Sequence, residues 1–315
     1  MKTVPELGRY LHRVMPTPLV PVRLTADDPV VWCKLEFLNP SGSAKDRIAR
    51  HMLEMARQRG EVKPGSWVVE ASSGSTSIAL ALACAQFGFR FLAVMPEGVS
   101  NERLLTVRAY GGEILTIPKE FGMCEAIARA EEEAKKRGGL ATRQFSNPDN
   151  VEAHRLGTAA EVVADIPEGR VDAVVSGVGT GGTLMGLLEG CRESGSQPRP
   201  VLARPTCKLL SDPECCGFSI ECCRFSARIP GVIEGASHLY RPELLPDLEI
   251  LDIDDELAMT MARELIRHGF PVGPSSGLNF AAAVQTAENM PAEAQVVTVL
   301  PDRMERYFST ELFRS

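Results

Sequence analysis

The sequence lacks any long apolar run. The longest clean one, Ile78 to Ala85, falls far short of the roughly 20 residues that a bilayer-spanning helix needs. Met1 to Tyr10 carries Lys2 but no apolar segment of the kind a secretion signal requires, so a cytoplasmic protein is expected. A surplus of positive charge is also missing. The net charge is −7, with Lys and Arg scattered along the chain, which removes the electrostatic footprint of a nucleic-acid binder and leaves a small molecule as the expected partner. None of the nine cysteines stands in a C-x-x-C pair, and without a signal peptide they read as reduced thiols, not a disulfide framework. The five histidines, 12, 51, 154, 238 and 268, show no metal-ligand spacing, so structural roles and no metal site are expected. There is no internal repeat and no low-complexity tract.

What is present suits a packed α/β body. The chain has 315 residues, 44% apolar and 24% charged, which fits two domains of ordinary size. Strand-like runs alternate with helical ones: Trp67–Val69 before Ile78–Phe87, Phe91–Met95 before Asn101–Tyr110, and Val171–Ser176 before Leu184–Arg192. That order is the mark of βαβ units on a mostly parallel sheet. In Ala130 to Arg137, Glu131 and Glu132 stand four residues before Lys135 and Lys136, which predicts a solvated helix face with i,i+4 pairs.

Three loops between strand-like and helix-like segments carry chemistry. In Asn39 to Arg47, Lys45 sits among small residues at the expected start of a helix over Ile48–Arg59. The helix dipole there disfavours a charged amine, and a neutral amine is what Schiff-base chemistry requires. On this loop alone a surface lysine is an equal explanation. Ser176 to Thr183 supplies glycines whose N–H groups can converge on an anion at a helix start, with threonine hydroxyls beside them. It matches G-x-G-x-x-G, but no acidic residue follows at Pro200–Pro205, so one phosphate fits better than a dinucleotide. Glu70 to Ser77 gathers hydroxyls ahead of Ile78–Phe87, more than a helix cap needs, and suits a substrate carboxylate.

Taken with these loops, the sequence resembles the cysteine synthase family, which includes cystathionine β-synthase, among the fold-type II pyridoxal-phosphate (PLP) enzymes. Five segments carry the resemblance in order: Lys34-Leu-Glu-Phe-Leu-Asn-Pro-Ser-Gly-Ser-Ala-Lys-Asp-Arg47, Gln144-Phe-Ser-Asn-Pro-Asp-Asn150, Gly179-Thr-Gly-Gly-Thr183, Gly273-Pro-Ser-Ser-Gly277 and Leu300-Pro-Asp-Arg-Met-Glu-Arg-Tyr307. The resemblance implies two three-layer αβα domains with mostly parallel sheets, similar to the tryptophan synthase β subunit. The smaller, mobile one would span 37–148 and close over substrate; the larger, 1–36 with 149–315, would bind PLP. A homodimer is implied as well.

Position by position, the resemblance implies that Lys45 links to PLP and shuttles the Cα proton. It implies that Gly179, Thr180, Gly181, Gly182 and Thr183 bind the cofactor phosphate, and that Ser275, in preference to Ser276, faces the pyridine nitrogen. Ser72, Ser73, Thr76 and Gln144 would hold the substrate carboxylate. The implied reaction is β-replacement on an O-activated L-serine, O-acetylserine or O-phosphoserine, by sulfide or another nucleophile through an aminoacrylate. The alternative is β-elimination of L-cysteine to sulfide, pyruvate and ammonia. A hydroxyl at the ring nitrogen leaves the pyridine closer to neutral than a carboxylate does, which favours prompt loss of a β-leaving group.

Two departures stand out. Ser75 replaces an asparagine whose amide, in the family, donates to the cofactor's ring oxygen; this keeps breakdown of cysteine open beside synthesis. Cys207, Cys215, Cys216, Cys222 and Cys223 crowd together, where plain packing leads over a metal cluster or a redox sensor. Nearby Arg224 and Arg228 are placed to meet an anionic substrate group, with solvated arginines as the simpler expectation.

Overall fold

The structure is a computed structural model that describes residues 14–206, 224–225, 228–234 and 237–314. The five clustered cysteines lie outside the described residues, and the side chain of Arg224 is likewise outside them.

In chain order the strands are β1 (Leu19–Val22), β2 (Val31–Lys34), β3 (Trp67–Ala71), β4 (Arg90–Pro96), β5 (Glu113–Ile117), β6 (Leu140–Ala141), β7 (Ala173–Ser176), β8 (Arg199–Thr206), β9 (Arg224–Phe225), β10 (Ile233–Glu234), β11 (Glu249–Asp254) and β12 (Val296–Val299). The α-helices are α1 (Lys45–Gln58), α2 (Ser75–Phe87), α3 (Asn101–Ala109), α4 (Gly122–Lys136), α5 (Asp149–Ala153), α6 (Ala160–Asp165), α7 (Gly182–Glu193), α8 (Asp255–Arg267) and α9 (Pro274–Glu288). A π-helical turn, His154–Ala159, joins α5 to α6.

Two sheets organise the molecule. One has the order β5-β4-β3-β6 and is parallel throughout. The other has the order β1-β2-β12-β7-β8-β11 and is parallel except for the antiparallel pair β1 and β2 at one edge. A short ladder pairs β9 with β10.

Alternation of side chains across each strand explains why both faces of both sheets are covered. In the smaller sheet Val68, Phe91, Ala93 and Met95 pack toward α1 and α2, while Val69, Leu92 and Val94 pack toward α4. In the larger, Val175 and Val296 join the core under α8 and α9, and Val174, Val297 and Val299 join the one under α7. Helices on both faces of two mostly parallel sheets make this the expected α/β architecture, with two αβα layer sets.

The Glu131–Lys135 pairing expected from spacing is replaced. Lys136 does reach Glu132 at 2.9 Å, but Glu131 is taken by Arg143, whose Nε and Nη2 both donate to its carboxylate. A planar guanidinium bonds a carboxylate through two parallel contacts, which a lysine does not match.

Two of the three loops singled out from the sequence, and the segment that begins at Leu300, follow directly on parallel strands. Ser72 follows β3, Gly177 follows β7, and Leu300 follows β12, as ligand-binding loops do in open α/β sheets. Behind them a buried ionic cluster seats α1. Arg47 donates to Glu36 from Nε and Nη2, each at 2.7 Å, and to Glu161 from Nη1 and Nη2. Lys34, fully buried, bonds Thr17 O at 2.5 Å and pairs with Glu161 at 2.8 Å. These are the charges of the Lys34–Arg47 segment, so part of that motif's pattern is structural.

Candidate active site

Lys45 is the first residue of α1, with Ser43 Oγ 3.3 Å from its backbone nitrogen. Its side chain lines a cavity with Ser72, Ser73, Ser75 and Thr76 from the β3–α2 loop, Gln144, Gly179, Thr180, Gly181 and Thr183 from the β7–α7 loop, and Ser275. Eleven of the twelve residues singled out from the sequence therefore share one cavity. Gly182 does not line it; a Cβ there would collide with Asn150 Oδ1, so its lack of a side chain serves packing.

Burial pulls the Lys45 amine below its ordinary value, while the carboxylates of Asp302 and Glu36 pull the other way. An amine with a lowered pKa in a cavity is a nucleophile for carbonyl groups. The β7–α7 loop meets the needs of a phosphate. Gly181 has φ of +83° and caps α7, whose first N–H groups have no intrahelical partners. A Cβ at Gly179 would collide with Gly231 O, and one at Gly181 would come within 2.7 Å of Tyr240 Cβ. Asn279 fixes the loop from behind, accepting from Gly177 N at 2.7 Å and donating to Val299 O at 2.8 Å. His154 is buried and held neutral by desolvation and by the charges of Lys45 and Arg47; its ring bridges Thr158 and Thr183 at 2.8 and 3.2 Å. That is the structural role expected for it.

The hydroxyl loop divides its labour. Ser72 Oγ accepts from Gly74 N and Ser77 N at 3.0 and 3.3 Å, doing the work of a helix cap. Thr76 Oγ1 donates to Gln144 Oε1 at 2.6 Å, and Gln144 Nε2 donates to Ala71 O. Beneath them Glu70 accepts from Thr142 Oγ1 and from the N–H groups of Ala71 and Gln144. Burial nevertheless pushes its carboxyl up to about 7. Ser275 lies in the first turn of α9 and faces the cavity, whereas Ser276 is fully buried and does not line it.

Asp302, Tyr307 and Arg103 also line the cavity, and none of them had a role from sequence. The first two lie inside the matched Leu300–Tyr307 segment, which was the available signal. Arg103 lies in the first turn of α3, without a glycine or hydroxyl cluster to mark it. Arg228 corrects an expectation. It does not line the cavity, and its guanidinium is occupied by Glu256 and Glu311 at 2.7 and 2.5 Å, so it is not a receptor for a substrate anion.

A buried amine, a glycine cradle at a helix N-terminus and a hydroxyl at the start of α9 around one cavity fit PLP, and the unpartnered buried Oδ1 of Asp302 leaves hydrogen-bonding capacity for a ligand. Fold and site together define a fold-type II PLP enzyme. The chain belongs to the family of pyridoxal-phosphate dependent enzymes, whose model matches residues 11–302. It is similar to cysteine synthase of Staphylococcus aureus, 36% identical over 301 residues that cover 94% of each chain. It is 35% identical to O-ureido-L-serine synthase of Streptomyces lavendulae over 317 residues, 98% of this chain and 94% of that one. Among solved structures, a hydrogen sulfide-producing enzyme from Fusobacterium nucleatum superimposes with a TM-score of 0.81 at 32% identity, covering 95% of this chain and 88% of that one. The protein is a PLP-dependent enzyme of the cysteine synthase type. Among the described residues no helix is long and apolar enough to cross a membrane.

Proposed function

We propose that this enzyme catalyses β-replacement on an O-activated L-serine, with sulfide or another nucleophile as acceptor. The observation that supports the reading is the single cavity shared by Lys45, Thr180, Thr183, Ser275 and the Ser72–Thr76 loop. When bound, PLP supplies an electron sink that weakens the Cα–H and Cβ–leaving-group bonds of an amino acid.

The chain's own groups do the rest. Lys45, whose amine burial pulls below its ordinary value, would hold the cofactor, and would take the proton from the substrate Cα and return it. The N–H groups at the start of α7, with Thr180 and Thr183, hold the phosphate. Ser275, which lines the cavity, would face the pyridine nitrogen with a neutral hydroxyl. Ser72, Ser73, Thr76 and Gln144 orient the substrate carboxylate. The unit 37–148 carries the hydroxyl loop and closes against 1–36 and 149–315, excluding water. Action as a cytoplasmic homodimer completes the proposal, supported by the resemblance of the five motifs and tested by light scattering on the purified holoenzyme.

Incubation of holoenzyme with O-acetylserine or O-phosphoserine and sulfide tests the reaction: cysteine is the expected product. Failure with every activated serine would sink it. One observation favours a second reading, β-elimination of cysteine. Ser75, which stands where the family has asparagine, turns its hydroxyl to Asp302 at 2.9 Å, and a hydrogen sulfide-producing enzyme is among the similar structures. Release of sulfide and pyruvate from cysteine alone, without an acceptor, is the outcome that reading requires.

A further inference from the structure

Arg103 is 5% exposed and lines the reaction cavity. A buried cation normally has a carboxylate beside it, because a charge taken out of water is costly unless it is paired. Arg47 obeys that rule with Glu36 and Glu161. Arg306 lies near Asp46, and its Nη1 and Nη2 donate to Gly42 O and Ser41 O. Arg103 differs. Among the described residues no carboxylate forms an ion pair with it. Its protein hydrogen bond is a long one, from Nη1 to Ser73 O at 3.4 Å; its Nε is buried with no partner, as is that of Arg306, but Arg306 has both terminal nitrogens bonded and Arg103 does not.

The surroundings hold the guanidinium in place without satisfying it. Its Cζ lies 4.8 Å from the centre of the Tyr307 ring, a cation–π contact. On the other side, Gly74 makes room: a Cβ there would come within 2.8 Å of Arg103 Nε and closer still to Cδ. The glycine of the hydroxyl loop thus lets an arginine lie against that loop. Thr76 and Gln144, the groups proposed for the α-carboxylate, are neutral and bonded to each other, so Arg103 adds a positive charge to a site where the substrates carry anions.

We propose that Arg103 is a specificity-determining residue that binds a second anionic group, beyond the α-carboxylate of the donor. Two sources share that chemistry: the phosphate of a phosphorylated donor and a carboxylate on the acceptor. The inference rests on the β-replacement reading and deepens it by naming the charge of the substrate the site selects.

Steady-state kinetics of wild-type, Arg103→Gln and Arg103→Lys holoenzymes separate these sources. One arm compares O-phosphoserine with O-acetylserine, using sulfide. The other compares thioglycolate with sulfide, using O-acetylserine. The scale of a charge-assisted hydrogen bond predicts a loss in kcat/KM for the anionic member of one pair that is about 10- to 100-fold greater than for its neutral or carboxylate-free counterpart in Arg103→Gln. Partial recovery in Arg103→Lys is expected. Equal loss across both pairs, or no loss, overturns the proposal. In wild-type enzyme, inorganic phosphate at fixed ionic strength should raise the KM of one substrate; no rise overturns the proposal even where a variant fails to fold. Absence of turnover in wild-type enzyme with every donor refutes the reaction itself, whereas turnover with uniform loss refutes only the role of Arg103.

Discussion

Ser75 Oγ donates to Asp302 Oδ2 at 2.9 Å, and the same oxygen accepts from the Tyr307 hydroxyl at 2.8 Å. The carboxylate that receives both bonds also attracts the Lys45 ammonium, against the burial that disfavours it. Ser75, Asp302, Tyr307 and Lys45 therefore form one electrostatic unit, drawn from three separate parts of the chain.

Neutralising Asp302 gives the first prediction. Asp302→Asn preserves acceptors for Ser75 and Tyr307 but removes the negative charge that favours protonated Lys45. The Lys45 pKa then falls further, so the neutral amine is available at lower pH. The pH midpoint for uptake of PLP by apo-protein, followed by visible absorbance, is expected to move down. A midpoint that stays put or rises contradicts the coupling.

Gly182 supplies the second. Its α-carbon is packed against Asn150 Oδ1, and Asn150 also donates to Gln144 O and to Thr180 Oγ1. Gly182→Ala should destabilise the fold by about 1–3 kcal/mol, the usual cost of overpacking, and loosen the phosphate loop. Thermal denaturation reads the first effect, and PLP affinity at permissive temperature the second. A variant as stable as wild type would show that the crowding is not real.

Glu70 gives a pH dependence. Its folded value, raised to about 7 by burial despite three donors, lies above the 4.5 of a free carboxyl. A raised folded pKa means that the native state holds the proton more tightly than the unfolded chain. The associated stability is complete below about 4.5 and disappears as pH rises through about 7. Glu70→Gln does not titrate. The advantage in melting temperature of wild type over the variant should thus shrink from pH 5 to pH 8; a constant or growing advantage contradicts it.

Much of the fold was legible. The alternation of strand-like and helical runs located β3, β4, β7 and α2, α3, α7 to within a few residues, because strands buried on both faces leave short apolar blocks between loop residues. Lys45 itself was placed at a helix start, although α1 begins at the lysine and not at Ile48. The cavity residues carried by glycine-rich or hydroxyl-rich loops were also visible, since those compositions have few other uses at strand ends.

What escaped was whatever depends on distant packing. Arg103 enters the cavity because α3 packs beside the Met304–Tyr307 turn and Gly74 leaves space for it, and nothing local to Asn101–Ala109 says so. The ion pairs of Arg228 were out of reach for the same reason, since Glu256 and Glu311 are far from it in sequence. Gly182 belonged to a correctly located motif but faces Asn150, a distinction that only three dimensions can draw.

The central claim is that Lys45 carries the cofactor. Borohydride reduction of the holoenzyme, which fixes PLP irreversibly to its lysine, followed by peptide mapping, tests it most directly. The account predicts a phosphopyridoxyl group on the peptide containing Lys45 and on no other, and none there in Lys45→Ala. Label on a different lysine, or undiminished turnover by Lys45→Ala, would contradict it.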